Sequence, residues 1–333
     1  MALRPALHAL ATGALAAVLL AGAPVVAPVV AQDRSDWPDS FSVGTASQGG
    51  TYFVYGSGWT NLVSEALGIP GGAEVTGGPV QNAALVQAGD LDMAMVTMGP
   101  AADAIQGKSA LAPGLKHDQL RALFPMYKTA FHVMTLSSSG IDSIEDIPDG
   151  ATVGVGPAGG TPGTYWPRIF QALGKNVEIR HAGAADLASQ LQDGLIDVYT
   201  WAAGIPFPAF SQVEAQADVN FFGMTEAQVA TILETQPVSA FTIPASTYPG
   251  MTEDHLSVSM WNFAVGHADL PESFVYAVVD AVMSQHDKML EIHKAAAETL
   301  PENADKNPII PWHPGAVRWF EENGISIPED LRG

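Results

Sequence analysis

FSVGTASQGGTYFVY, residues 41–55, is the stretch whose reading decides the fold. Phe41, Val43 and Thr45 alternate with smaller residues as a strand does. Gly49 and Gly50 then break the pattern, and Thr51 opens an apolar run that reads as a helix over 52–67. The first backbone N–H groups of a helix have no internal acceptor and carry partial positive charge, so a carboxylate or phosphate docks there. On residues alone the segment reads equally as an anion cradle or as an ordinary tight strand-to-helix turn, because glycine also serves any strained backbone.

The same plan recurs along the chain. Residues 74–76 read as a short strand, Gly77-Gly78 as a turn, and Pro79 as the first residue of a helix that stops at Gly89. A strand over 93–96 leads through Thr97-Met98-Gly99-Pro100 into a short helix. Residues 120–124 and 130–136 read as an extended pair, followed by a boundary rich in serine and glycine. A second unit then repeats the alternation: a strand over 152–156, a Gly/Pro-rich loop over 157–163, a helix over 164–173, a strand over 177–180, a helix over 184–193 and a strand over 196–199. Alternating strands and helices predict an α/β fold with a mostly parallel sheet, whose ligands bind beyond the carboxyl ends of the strands. Extended segments return over 240–244 and 256–265, and the remainder reads as helical, over 271–284, 288–299 and 314–323. Two lobes joined by two crossings follow from that order, with a hinge and an interlobe cleft. The predicted boundaries are 36–128 and 256–333 for lobe one and 129–255 for lobe two.

Composition limits the function classes. The chain has 333 residues, 47% of them hydrophobic, which is enough for a sizeable core. Residues 1–31 carry a single charge, Arg4, then an apolar run over 9–22 and small side chains ending at Ala31. That order predicts a secretory signal peptide cut before Gln32, and a soluble periplasmic protein with no acylatable cysteine, since the sequence contains none. Loss of Arg4 leaves 13 basic against 35 acidic residues, a formal charge of −22. Such a surface argues against nucleic acid and anionic membranes as partners. The nine histidines show no metal-ligand spacing, and there is no G-x-S-x-G, Walker loop or full dinucleotide fingerprint. Neither a metal, nor a cofactor, nor an enzyme activity is expected.

GTASQGGTYFVYGSGWTNLVSE, VTGGPVQNAALVQAGDLDMAMV, LRALFPMYKTAFHVMTLSSSGI and IPWHPGAVRWFEENGI occur in that order, with LQDGLIDVYTWAAGIPFPAF and LPESFVYAVVDAV. Together they resemble the TAXI solute receptors of TRAP transporters, over about 41–325. The resemblance implies a two-lobed periplasmic binding protein of type II-like architecture. It implies delivery of glutamate, 2-oxoglutarate or a similar small organic anion to a sodium-coupled TRAP permease, fused or split, by a monomeric receptor. Position by position it implies ligand contacts from Ser47, Gly49, Gly50, Thr51 and Tyr52, and from Gly78, Gln81 and Asn82 in the second loop. Thr97 and Met98 stand where many members have a Gln followed by an Asp, a loss of polar grip. In lobe two it implies Gly160, Thr161, Gly163 and Thr164, then Tyr199, Trp201 and Gly204, with Pro162 removing one donor. His313, in the C-terminal signature, is expected to cap a lobe-one helix. A periplasmic sensor of the same ligand, and an enzyme acting on a small carboxylate, stand as the alternative functions.

Overall fold

The computed structural model describes residues 34–333; the expected signal peptide and its cut lie outside them. β1 (Phe41–Gly44) runs into α1 (Thr51–Leu67), which ends where Gly68 turns left-handed and donates to Ser64 O. β2 (Gly71–Glu74), α2 (Pro79–Ala88), β3 (Met93–Thr97) and α3 (Met98–Ile105) complete the first βα series. β2 lies a few residues before its predicted place, with Gly71 lying flat against the Phe41 ring where a Cβ would collide. β1 is the middle strand, parallel to both β2 and β3.

The expected extended pair is one unbroken strand, β4 (Leu120–Leu136). Pro125 tolerates this position because β4 and its antiparallel partner slip register beside it, and a bulge needs no N–H there. β5 (Thr152–Gly154), α4 (Thr161–Ala172), β6 (Glu178–Arg180), α5 (Ala184–Gln192), β7 (Val198–Ala203) and α6 (Pro208–Glu214) form the second series. α4 begins three residues before the predicted start. Thr161 and Pro162 occupy its first turn, where proline forfeits only an orphan N–H. β8 (Val219–Phe222) and α7 (Glu226–Thr235) fill a span the sequence reading leaves unassigned. β9 (Ser239–Ile243) pairs with β10 (His255–His267), and α8 (Glu272–Met283), α9 (His286–Ile292) and α10 (Pro314–Glu322) close the chain. The predicted helix over 288–299 is α9 followed by a 3-10 segment, Lys294–Glu298.

The sheet order is β2-β1-β3-β10-β4-β7-β5-β6, with β8 on β4 and β9 on β10. Among the described residues, only β4 and β10 run through both lobes. On β4, Leu123, Phe124 and Tyr127 sit in the lobe-one core, whereas Phe131 and Val133 sit in a lobe-two core. On β10 the change falls between Met260 and Phe263, a few residues beyond the predicted return at 256. Lobe two has a core on each face of its sheet, one built on Tyr165, Trp166 and Phe170, the other on Tyr199, Phe207 and Phe210. The two-lobed α/β architecture expected from the sequence is the one observed, but the sheet is mixed rather than mostly parallel, because the crossing strands β4 and β10 run antiparallel to every strand they pair with.

Candidate functional site

Four helices begin at the line between the lobes. The residues preceding them are Gly50, Gly78, Thr97 and Gly160, none of which caps its helix through a side chain, and no first turn contains an acidic residue. By contrast α5, α7, α8 and α9 each carry an acidic residue in the first turn and α10 is capped by His313, while α6 shares the bare start but not the place at the cavity. The positive ends of α1 to α4 are thus left without a counter-charge, the arrangement that favours an anion.

A cavity of about 40 Å³ lies among these starts. Ser47, Thr51, Tyr52, Thr97, Thr129 and Thr161 give it hydroxyls, while prolines, alanines and Trp201 give it apolar wall; no charged side chain lines it. The lobes meet directly around it. Thr97 Oγ1 lies 2.7 Å from Thr161 Oγ1, Thr51 Oγ1 donates to Gly204 O at 2.8 Å, and Val80 N donates to Gly159 O at 3.0 Å. Close approach is possible because glycine faces glycine: a Cβ on Gly78, already at φ 107, would sit 3.0 Å from Gly160 Cα.

Of the predicted contacts, Ser47, Gly50, Thr51, Tyr52, Gly78, Thr97, Gly160, Thr161 and Trp201 line the cavity. The others are placed elsewhere, for identifiable reasons. Asn82 is fully buried and ties strand ends together, its Nδ2 donating to Thr45 O and Met95 O at 2.8 Å each. Gln81 folds back to accept from Gly77 N. Gly49 takes φ 81 against Ala185, and Gly163 packs where a Cβ would strike Pro157 O. Thr164 bonds Gly160 O inside the first turn of α4, and Gly204 enters only through its carbonyl. Met98 packs against the lobe-one core. Tyr199 points into the core behind the cleft and donates to Ala184 O at 2.8 Å, because β7 covers 199–203 as strand rather than turn. Arg168 lies over the Tyr165 ring on an outer crevice shared with Asp103 and Ser109, away from the cavity.

The residues that sequence reasoning passed over are Thr129 and Asn262, both on the crossing strands. Asn262 is fully buried; its Oδ1 accepts from Tyr52 Oη at 2.7 Å and from Thr129 Oγ1 at 3.0 Å. A lone asparagine inside the apolar run MWNFAVG was the available signal. Burial pushes the Tyr52 phenol well above its ordinary range, so it stays a neutral donor. Trp201 is held by a stacked Phe207, ring centres 5.1 Å apart and 13° from parallel. His313 does cap a helix: its Nδ1 accepts from Gly315 N at the start of α10 while Nε2 meets Leu270 O.

The family model described as NMT1-like family matches residues 43–324. Among solved structures, periplasmic binding protein BugD superposes with a TM-score of 0.58 at 15% identity, over 86% of this chain and 97% of that one. MatC from Rhodopseudomonas palustris with bound malate gives 0.55 at 14% identity, over 85% and 95%. An R. palustris protein with adipate gives 0.53 at 18%, over 77% and 88%. At such identities these likenesses establish the fold: that of periplasmic binding proteins.

Proposed function

The chain belongs to the NMT1-like family, and from that premise we propose that it is an extracytoplasmic solute receptor, which captures a small organic anion between its lobes and presents it to a membrane permease of the TRAP type. The observation that carries this reading is the meeting of four uncapped, acid-free helix starts at one interlobe cavity. Such a site binds charge without a counter-ion: backbone N–H groups and neutral hydroxyls hold the anion. That MatC and its R. palustris counterpart carry malate and adipate in structures of the same fold agrees with a carboxylate here. The malate and adipate themselves are not carried over, since the two chains are only 14% and 18% identical to this one.

Thermal unfolding with a panel of carboxylates and their neutral amides tests the binding half. A carboxylate at about 100 times its Kd stabilises the fold by roughly 2.7 kcal/mol, whereas the matching amide leaves it unchanged. Equal stabilisation by amide and acid would remove the anion from the account. The transport half is read in vesicles holding a TRAP permease under a sodium gradient, where uptake of the bound carboxylate requires the receptor; uptake indifferent to the receptor refutes it.

A further inference from the structure

We propose that the ligand is a short monocarboxylate bearing no amino group, an inference that rests on the reading of this cavity as a carboxylate site. An ammonium would find no counter-charge there. No aspartate or glutamate is among the lining residues. Five of the carbonyls nearby each already accept a hydrogen bond: Ser47 O from Gly50 N, Pro157 O from Gly160 N, Gly159 O from Val80 N, Trp201 O from Trp166 Nε1 and Gly204 O from Thr51 Oγ1. An α-amino acid would bring its ammonium into the positive field of four helix starts with no carboxylate to pair with, and a buried, unpaired charge is heavily penalised.

The cavity also offers one complete place for a carboxylate, not two. α1 alone presents an unbroken first turn, through Thr51 and Tyr52. Each of the other three starts has a proline in its first turn, Pro79, Pro100 and Pro162, and so lacks one N–H. On α2 the next donor, Val80 N, is already given to Gly159 O. One complete cradle therefore faces weakened ones, and the surface beside these is apolar, with Pro157, Pro162, Ala202 and Trp201. Room is limited as well. A cavity of about 40 Å³ has space on the order of three water molecules, which one carboxylate group with a short tail fills. The carboxylate sits at the start of α1, on the Thr51 and Tyr52 backbone N–H groups, and the tail lies on Trp201.

Isothermal titration of the mature chain with propionate, alanine, succinate and propionamide decides the matter. Propionate binds; alanine, its α-amino counterpart, binds at least about 100-fold more weakly, and succinate at least about tenfold more weakly. Alanine or succinate binding as well as propionate overturns the inference while leaving a carboxylate site standing. Propionamide matching propionate, or no binding by any of the three acids, overturns the carboxylate reading itself, and the inference with it.

Discussion

Three histidines are kept neutral inside the fold. Burial lowers His132 to about 3, with its ring set between Phe207 and Phe210. Burial likewise lowers His293 and His313 to about 4, against partial compensation from backbone hydrogen bonds to Pro206 and Leu270 respectively. In the unfolded chain each takes its proton near the ordinary 6.5. Between those values the unfolded state binds more protons, so the stability is complete above pH 6.5 and declines as pH falls toward 4. The loss is about 1.4 kcal/mol per pH unit for each histidine. Melting curves from pH 7 to 4.5 should slope downward on the acid side, and His132→Phe should flatten the slope by one proton's share. A melting temperature constant from pH 7 to 5 would contradict the neutral assignments. At the cleft, Thr51→Val leaves Gly204 O without its partner, and Thr161→Val strips Thr97 of a bond across the lobes. Each should weaken ligand binding by about 1 kcal/mol or more while leaving secondary structure intact; calorimetry showing wild-type affinity in both would place the ligand elsewhere.

At the scale of elements, α3 and α4 touch through a contact that tolerates no extra atom. A Cβ on Gly99, in the first turn of α3, would lie 2.2 Å from Tyr165 Oη on α4, with Met260 Sδ 3.0 Å away. Tyr165 is fully buried and cannot swing out. Gly99→Ala should therefore push α4, and lobe two with it, away from lobe one. The expected reading is a tenfold or larger loss of affinity, on the order of 1.4 kcal/mol or more, within the usual range for overpacking, with little change in far-ultraviolet circular dichroism. Unchanged affinity would mean that α4 yields locally and that this contact does not set closure. Gly99 also shows what the sequence withholds. The alternation of strand, glycine turn and helix was legible because its signals are local: Gly68 and Gly89 ending α1 and α2, Pro79 opening α2. Which lining residues converge depends on contacts between lobes, and no local pattern carries those. Asn82 and Tyr199 looked like cleft residues by position, yet each has its polar atoms satisfied in the interior. α7 was legible in retrospect from Thr225 and Gln228, whose side chains and backbones bond reciprocally as a capping box.

For the whole molecule, the question is what a ligand must do to close the lobes. β4 and β10 cross side by side, and the bulge near Pro125 gives the pair a place to bend. Trp201 is clamped by Phe207 and edge-on to Tyr199, so it does not swing by itself onto a ligand. If ligand closes the lobes, lobe two carries Trp201 in as part of a packed body. Taking a population from 1:99 open to 99:1 closed requires a preference of about 5.5 kcal/mol, while micromolar binding supplies roughly 8 kcal/mol in all. Most of the interaction must therefore form after closure. The contacts Thr97 to Thr161, Thr51 to Gly204 and Val80 to Gly159 reduce that demand, since each forms between the lobes themselves. Their net worth is about 1 kcal/mol apiece after exchange with water, so the free receptor should sample the closed form without remaining in it. Small-angle scattering should then show contraction on adding saturating carboxylate. Gly99→Ala should prevent that contraction, whereas Trp201→Phe, which preserves the stack on Phe207, should still contract but bind several-fold more weakly. If wild type does not contract, or if Trp201→Phe loses contraction while Gly99→Ala keeps it, closure is not governed by the helix starts that meet at the cavity.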